Sequence, residues 1–279
     1  MHPRLVICKA LLAAGFAILL ATILLPNSQL FGGNVYPPSG GGATASPTAS
    51  PSPAMIAASS TVIPTSAATP VPGIPGAVQA GDCAVISVVT YTTAIGRGLL
   101  GGQLVSPGNN YMQQSSEWFT PNTHFGAAWT HYVTPQDITN GYIPLFGLGQ
   151  EAGDPLCMVY YRHVSCGSND GFVLAPLANN GNSASTAPQP ASLTSTVAGD
   201  LAISYGYLYN GTNGVTYTPP TGYTNDCYIA PVTGTADGLY VDHKVLGGAG
   251  STQPGTGTLS SSLHWGAGQF LIQNIGGTQ

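Results

Sequence analysis

The chain repeats itself, and that repetition limits its fold more than any other feature. Gly81-Asp82-Cys83-Ala84 is answered by Gly199-Asp200-Leu201-Ala202, 118 residues later. Beyond this pair the echo keeps an offset of 112 residues. Pro107-Gly108-Asn109-Asn110-Tyr111 is answered by Pro219-Pro220-Thr221-Gly222-Tyr223. Gly126, His131 and Val133 fall on Gly238, His243 and Val245, and Met158-Val159-Tyr160 on Phe270-Leu271-Ile272. What recurs is turn residues and apolar runs, so the duplication describes two similar sheet-forming halves and not one catalytic centre. Any function then belongs where the two copies differ.

The elements between the turns read as strands. Ala84 to Thr93 is rich in Val, Ile, Thr and Tyr, and Phe125 to Val133 alternates bulky and small residues around Trp129. Cys157 to Tyr161, Leu201 to Leu208, Leu239 to Val245 and Gln269 to Ile272 complete the set. Asn109-Asn110, Asn179-Asn180-Gly181, Asn210-Gly211 and Gly247-Gly248 supply the turns. Only 5% of the residues are charged, against about 25% in an ordinary soluble domain. Lys, Glu and Arg, the usual surface residues of helices, are scarce, which excludes long amphipathic helices. The expected fold is all-β: an antiparallel β-sandwich, jelly-roll-like, over 81–275, with halves of about 81–176 and 197–275. Leu177 to Thr196 connects them.

Before the sandwich, Arg4 and Lys9 precede the apolar run Ala10 to Leu25, which Pro26-Asn27 closes. Residues 1–27 therefore read as a hydrophobic N-terminal helix, either a cleaved signal peptide or a retained membrane anchor. Residues 28–80 carry Pro, Ser, Thr, Ala and Gly in place of core formers, as in Ser46-Pro47-Thr48-Ala49-Ser50-Pro51-Ser52-Pro53. Such a composition predicts a disordered linker, stiffened by proline into a stalk whose hydroxyls suit O-glycans. Beyond the first segment the basic residues are Arg97, Arg162 and Lys244 alone, too few for a phosphate-binding surface. Nucleic acid is excluded as a partner; the membrane, through the N-terminal segment, is expected, with a glycan or a surface protein as the external partner. A surface so poor in charge also suits an acidic medium.

Export is consistent with the cysteines. Cys83, Cys157, Cys166 and Cys227 form an even set with no C-x-x-C spacing, so disulfides are expected, in any of three pairings. Glu117, Asp137, Glu151, Asp154, Asp226, Asp237 and Asp242 are the acids that polysaccharide hydrolysis would draw on, yet none sits in a recognisable motif. Asp82 and Asp200, each directly before a strand, read as turn-forming aspartates. His131 and His243 look equivalent, which suggests a shared packing role. Adjacent residues of a strand face opposite ways, so Asp242 and His243 make a poor metal pair. No cofactor is expected; calcium in Asn169-Asp170-Gly171 or Asn225-Asp226 is the one metal the loops would suit. Tyr205, Tyr207 and Tyr209 share one strand face and are the candidate ligand-binding platform.

The Gly-Asp strand opening, the Pro-Pro-x-Gly-Tyr turn, the aromatic-centred strand and the segment Val159-Tyr160-Tyr161-Arg162-His163-Val164 together resemble a broad class of β-sandwich modules. These modules are found in tailed phages and bacterial surface proteins. The resemblance spans about Gly81 to Ile272. It implies a sandwich of two related halves, closed by Met158 to Val164 and reopened by Thr218 to Tyr223, and it transfers no catalytic residues. The expected function is that of an exported, non-enzymatic surface or particle-associated protein, structural or adhesive. The alternatives are a carbohydrate-binding module and, behind it, a polysaccharide-acting hydrolase.

Overall fold

The computed structural model describes residues 51–62, 72–91, 111–119, 124–144, 154–166, 178–179, 184–195, 198–209, 213–232, 237–252 and 256–275. The apolar segment 1–27 and the linker as far as residue 50 lie outside them. The first half supplies β1 (Ala54–Val62), β2 (Cys83–Tyr91), β3 (Tyr111–Phe119), β4 (His124–Tyr132), α1 (Pro135–Asn140) and β5 (Pro155–Arg162). The second supplies β6 (Ala178–Asn179), β7 (Leu193–Ser195), β8 (Leu201–Tyr209), β9 (Tyr217–Thr218) and β10 (Thr224–Ile229). β11 (Gly238–Val245), β12 (Gly250–Thr252), β13 (Thr258–Leu259) and β14 (His264–Ile272) follow.

Two five-stranded antiparallel sheets result, ordered β1-β5-β2-β4-β3 and β10-β11-β8-β14-β6. Read from β3 and from β10, the two orders coincide: β3, β4, β2, β5, β1 against β10, β11, β8, β14, β6. Each copy thus builds four strands of one sheet, and the segment before each copy supplies the fifth, β1 or β6, so the duplication legible in the sequence is a duplication of topology. A jelly roll weaves its strands between both sheets; this chain finishes one sheet before beginning the other. The jelly-roll expectation is corrected to a sandwich of two stacked, like-ordered sheets.

The sheets meet face to face, with β1 and β5 against β10, β5 and β2 against β11, β4 against β8 and β3 against β14. Val85, Val89, Val159 and Tyr161 of one sheet and Ile203, Tyr205, Tyr207, Val241, Phe270 and Ile272 of the other fill the shared core. The outer faces are covered too. On the first, Val78, Val133 and Ile143 lie over Ile86, Trp129, Met158 and Tyr160. On the second, Val215, Leu259 and Leu263 lie over Leu208 and Tyr240, while Leu193, Tyr223 and Leu246 lie over Ala202 and Leu271. Burial of both faces is why β5 as far as Tyr161 reads as an apolar run and why β8, broken by Ser204, shows no polar alternation.

One boundary moves. Ala54–Val62 was expected in the disordered linker, but it pairs along its length with β5, from Ala54 opposite Arg162 to Val62 opposite Pro155. Its Ala, Ser and Thr side chains are too small to announce a strand. The backbone ladder to β5 and the packing of Ile56 and Ala57 on the first sheet hold it in place. Three strands skip one residue against their neighbour: β1 at Ile56, β3 at Gln114 and β10 at Asp226. The single helix among the described residues, α1, begins with a capping box. Thr134 Oγ accepts from the Asp137 backbone, and the Asp137 carboxylate accepts from the Thr134 N–H.

Both disulfides form, as Cys83–Cys166 and Cys157–Cys227, and the second ties β5 to β10 across the two sheets. A further tie lies where the strands exit: the Ser165 N–H bonds the Gln273 carbonyl at 2.8 Å, and the Ile275 N–H bonds His163 at 3.3 Å.

Gly206 on β8 shows how the copies exchange bulk. The register sets it beside Tyr240, where the equivalent positions of the first sheet pair Val88 with Ala127. A Cβ on Gly206 would lie 2.2 Å from the Tyr240 ring, and that ring is itself stacked on Tyr217 at 4.1 Å. Gly206→Ala is expected to cost about 1–3 kcal/mol through overpacking, read as a lower urea midpoint with unchanged slope.

Candidate functional site

Sheet register, not sequence echo, decides which residues of the copies correspond. The Val133 N–H bonds the Asp82 carbonyl at 2.9 Å, and the Leu246 N–H bonds the Asp200 carbonyl at 2.9 Å. Val133 therefore answers Leu246, one residue beyond Val245. In a strand a slip of one residue reverses the face, so the expected equivalence of His131 and His243 is corrected. His131 points to the outer face, with Nε2 2.8 Å from Asp137 Oδ2, the oxygen that also caps α1. His243 points inward, with Nδ1 2.7 Å from both oxygens of Asp226.

Asp226 is the residue that β10 skips, and the skip turns its carboxylate into the space between the sheets. There the Tyr161 hydroxyl donates to Oδ2 at 2.5 Å. The Asp226 side chain is wholly buried and that of His243 is 17% exposed. Burial, reinforced by the Asp226 charge, pushes the Tyr161 phenol well above its ordinary range. The first copy skips at the matching Gln114 and sets Ile272 where this site has Tyr161. Among the described residues the trio of Tyr161, Asp226 and His243 therefore occurs once. Its carboxylate orients the imidazole as a general-base pair would, but among the described residues no hydroxyl or thiol bonds the other nitrogen.

The outer faces differ more. Across the first sheet one row runs Gln113, Trp129, Ile86, Met158. The matching row of the second runs Asn225, Asp242, Ser204, Gln269. Where Trp129, Ile86 and Met158 are buried and apolar, Asp242, Ser204 and Gln269 are buried and polar. Asn225 Nδ2 donates to Asp242 Oδ1 at 2.7 Å and the Tyr217 hydroxyl to Oδ2 at 2.5 Å. Tyr223 donates to Gln269 Oε1 at 3.2 Å. Burial pushes the Asp242 carboxyl up to about 7, against the lowering effect of the Tyr217 and Asn225 bonds. The row separates two apolar clusters and fastens the covering segment that carries Tyr217 and Tyr223.

The expected ligand platform is overturned. Tyr205, Tyr207 and Tyr209 do share a face, but it is the core face of β8, where none is more than 2% exposed. Every described aspartate has a buried side chain as well. Asp226 lies in a strand and is bonded to protein groups, so Asn225-Asp226 does not form the loop that would suit calcium. Asn169-Asp170-Gly171 and Glu151 lie outside the described residues, and Glu117 is on β3. Among the described residues no group of three or more His, Cys, Asp or Glu is placed to hold a metal.

Asp82 and Asp200 do accept from nearby groups, the Gln79 N–H at 2.8 Å and the Ser195 hydroxyl at 2.8 Å respectively. Asp82 has a further partner: Arg162 grips it with Nε and Nη2, both at 2.7 Å. The sequence signal for this pair is faint, an isolated arginine at the end of one strand and an aspartate before another. Arg162, His163 and Gly81 line an open pocket of about 280 Å³ beside the start of β1. No protein-family model, curated protein or solved structure matches the chain.

Proposed function

We propose that this is an exported, non-enzymatic surface or particle-associated protein, which presents its sandwich beyond an N-terminal membrane-directed segment for adhesion or structure. The observation that carries this reading is the pair of disulfides, since such bonds persist in oxidising compartments. A scarcity of charge and a stalk-like leader agree with it. The described aspartates support the non-enzymatic part: Asp82, Asp137, Asp200, Asp226 and Asp242 are each bonded within the fold. Hydrolysis of a polysaccharide instead asks for two carboxylates facing a groove. Carbohydrate binding is the second reading, favoured by the open pocket beside Arg162.

Cell fractionation, N-terminal sequencing of the product and thiol labelling test the proposal together. The expected result is protein in the membrane or external fraction, with Cys83, Cys157, Cys166 and Cys227 labelled only after reduction. Recovery from the cytoplasm with all four thiols reactive would overturn it.

A further inference from the structure

His163 is the one non-glycine among the described residues with a left-handed backbone, at φ 63°. A histidine there is strained, and strain of this kind persists where the surroundings impose it. The register makes Asn274 its counterpart in the second copy. Asn274 does not share the left-handed φ, and its amide packs onto Gly199, 2.7 Å from where a Cβ would stand. In the first copy Gly81 and His163 instead line the 280 Å³ pocket, together with Gln79, Asp82, Arg162 and Ile275.

The polar groups of that pocket are prepared and not fully used. Arg162 spends Nε and Nη2 on Asp82, and Nη2 also on the Ala77 carbonyl at 3.2 Å. Its Nη1 donors have no partner among the described residues. The His163 Nδ1 lies 3.2 Å from the Ser52 carbonyl. A carbonyl only accepts, so Nδ1 carries the hydrogen and Nε2 is left over. Two oriented groups, one of them a guanidinium locked by a carboxylate, thus sit in one open pocket, at a place where the second copy instead sets Asn274 against Gly199. Its volume lies just under the ~300–1,000 Å³ typical of drug-sized ligands, which leaves room for a monosaccharide.

We propose that the pocket between Arg162 and His163 binds a carboxylate carried on a sugar-sized ligand, with the Arg162 Nη1 donors on the carboxylate. His163 and the Gln79 amide then meet the ring hydroxyls, and Ile275 supplies the apolar floor. Guanidinium is the side chain best matched to a carboxylate. Asp82 already offsets its charge, so the affinity is expected in the millimolar range, ~4 kcal/mol. This goes beyond the proposed display role and is tested in vitro, whatever the cellular location.

The full-length protein, labelled with ¹³C at histidine Cε1, is titrated with sodium glucuronate, sodium acetate, glucose and sodium chloride. The His163 signal, assigned through His163→Asn, is expected to shift saturably with glucuronate and acetate and not with glucose or chloride. Asparagine tolerates the left-handed backbone, so His163→Asn keeps the fold, and its thermal stabilisation by glucuronate should need at least tenfold more ligand. Arg162→Gln should lose that stabilisation as well. No saturable shift with either carboxylate, an equal shift with chloride, or unchanged glucuronate affinity in a folded His163→Asn variant would each overturn the proposal.

Discussion

Stability should fall as pH rises from about 4 to 7, and replacing Asp242 with asparagine should abolish that fall. The carboxyl is pushed up to about 7 by burial, against ~3.9 for an exposed aspartate. Between those values the folded protein holds a proton that the unfolded chain has released. The stabilisation is therefore complete below the unfolded value and is lost as pH climbs through the folded one. About three pH units correspond to roughly 4 kcal/mol. An asparagine in this place needs no proton: its Oδ1 accepts from Asn225, and its Nδ2 donates to the Tyr217 oxygen. Urea unfolding of both proteins at pH 4.5, 6 and 8 reads the difference directly, since the other carboxylates cancel. A wild-type curve parallel to that of Asp242→Asn would end the argument.

Reduction of the disulfides should have an effect of the same size. Cys83–Cys166 and Cys157–Cys227 close loops with sequence separations of 83 and 70. In the chain-entropy model loops of that length are worth ~4–5 kcal/mol each. The loops overlap, so breaking both costs less than the sum. Cys157–Cys227 is the more informative bond because it joins the two sheets, and Cys157→Ala/Cys227→Ala should lower the thermal midpoint by several degrees or more. An unchanged midpoint in the double variant would mean that the apolar contact between the sheets, not the bond, sets their association.

The sequence revealed the sheet better than the side of it. β2, β5 and β8 are legible because both their faces are buried and apolar residues dominate them, and β4, β11 and β14 because bulky strand formers recur along them. β1 is not, because Ala, Ser and Thr at an edge look like stalk. The duplication is plain, but its residue-by-residue alignment fails by one at His131 and His243. It fails by one the other way at Met158-Val159-Tyr160, which the register matches with Gln269-Phe270-Leu271 and not with Phe270-Leu271-Ile272. In a structure with a period of two, an error of one exchanges core for outer face. Tyr205, Tyr207 and Tyr209 fail differently: their common face follows from spacing, whereas its direction depends on a second sheet more than thirty residues away in sequence. Arg162 and Asp82 meet through a strand pairing 80 residues apart, for which no local pattern exists. The polar row of Asp242, Ser204 and Gln269 likewise comes from three strands and becomes a row only after they pair.

The skipped residues in β1, β3 and β10 have a consequence for solubility. These are the full-length strands at the margins of the two sheets, and the fourth margin, β6, has only two residues. An open margin offers backbone donors and acceptors to a neighbouring molecule, and proteins usually discourage that with lysine or other charge. With 5% charged residues this chain has little charge to place there. A bulge breaks the regular spacing and twists the margin, and a two-residue strand is too short to template another chain. Irregular backbone at the margins thus takes the part that charge plays elsewhere in discouraging strand-to-strand pairing.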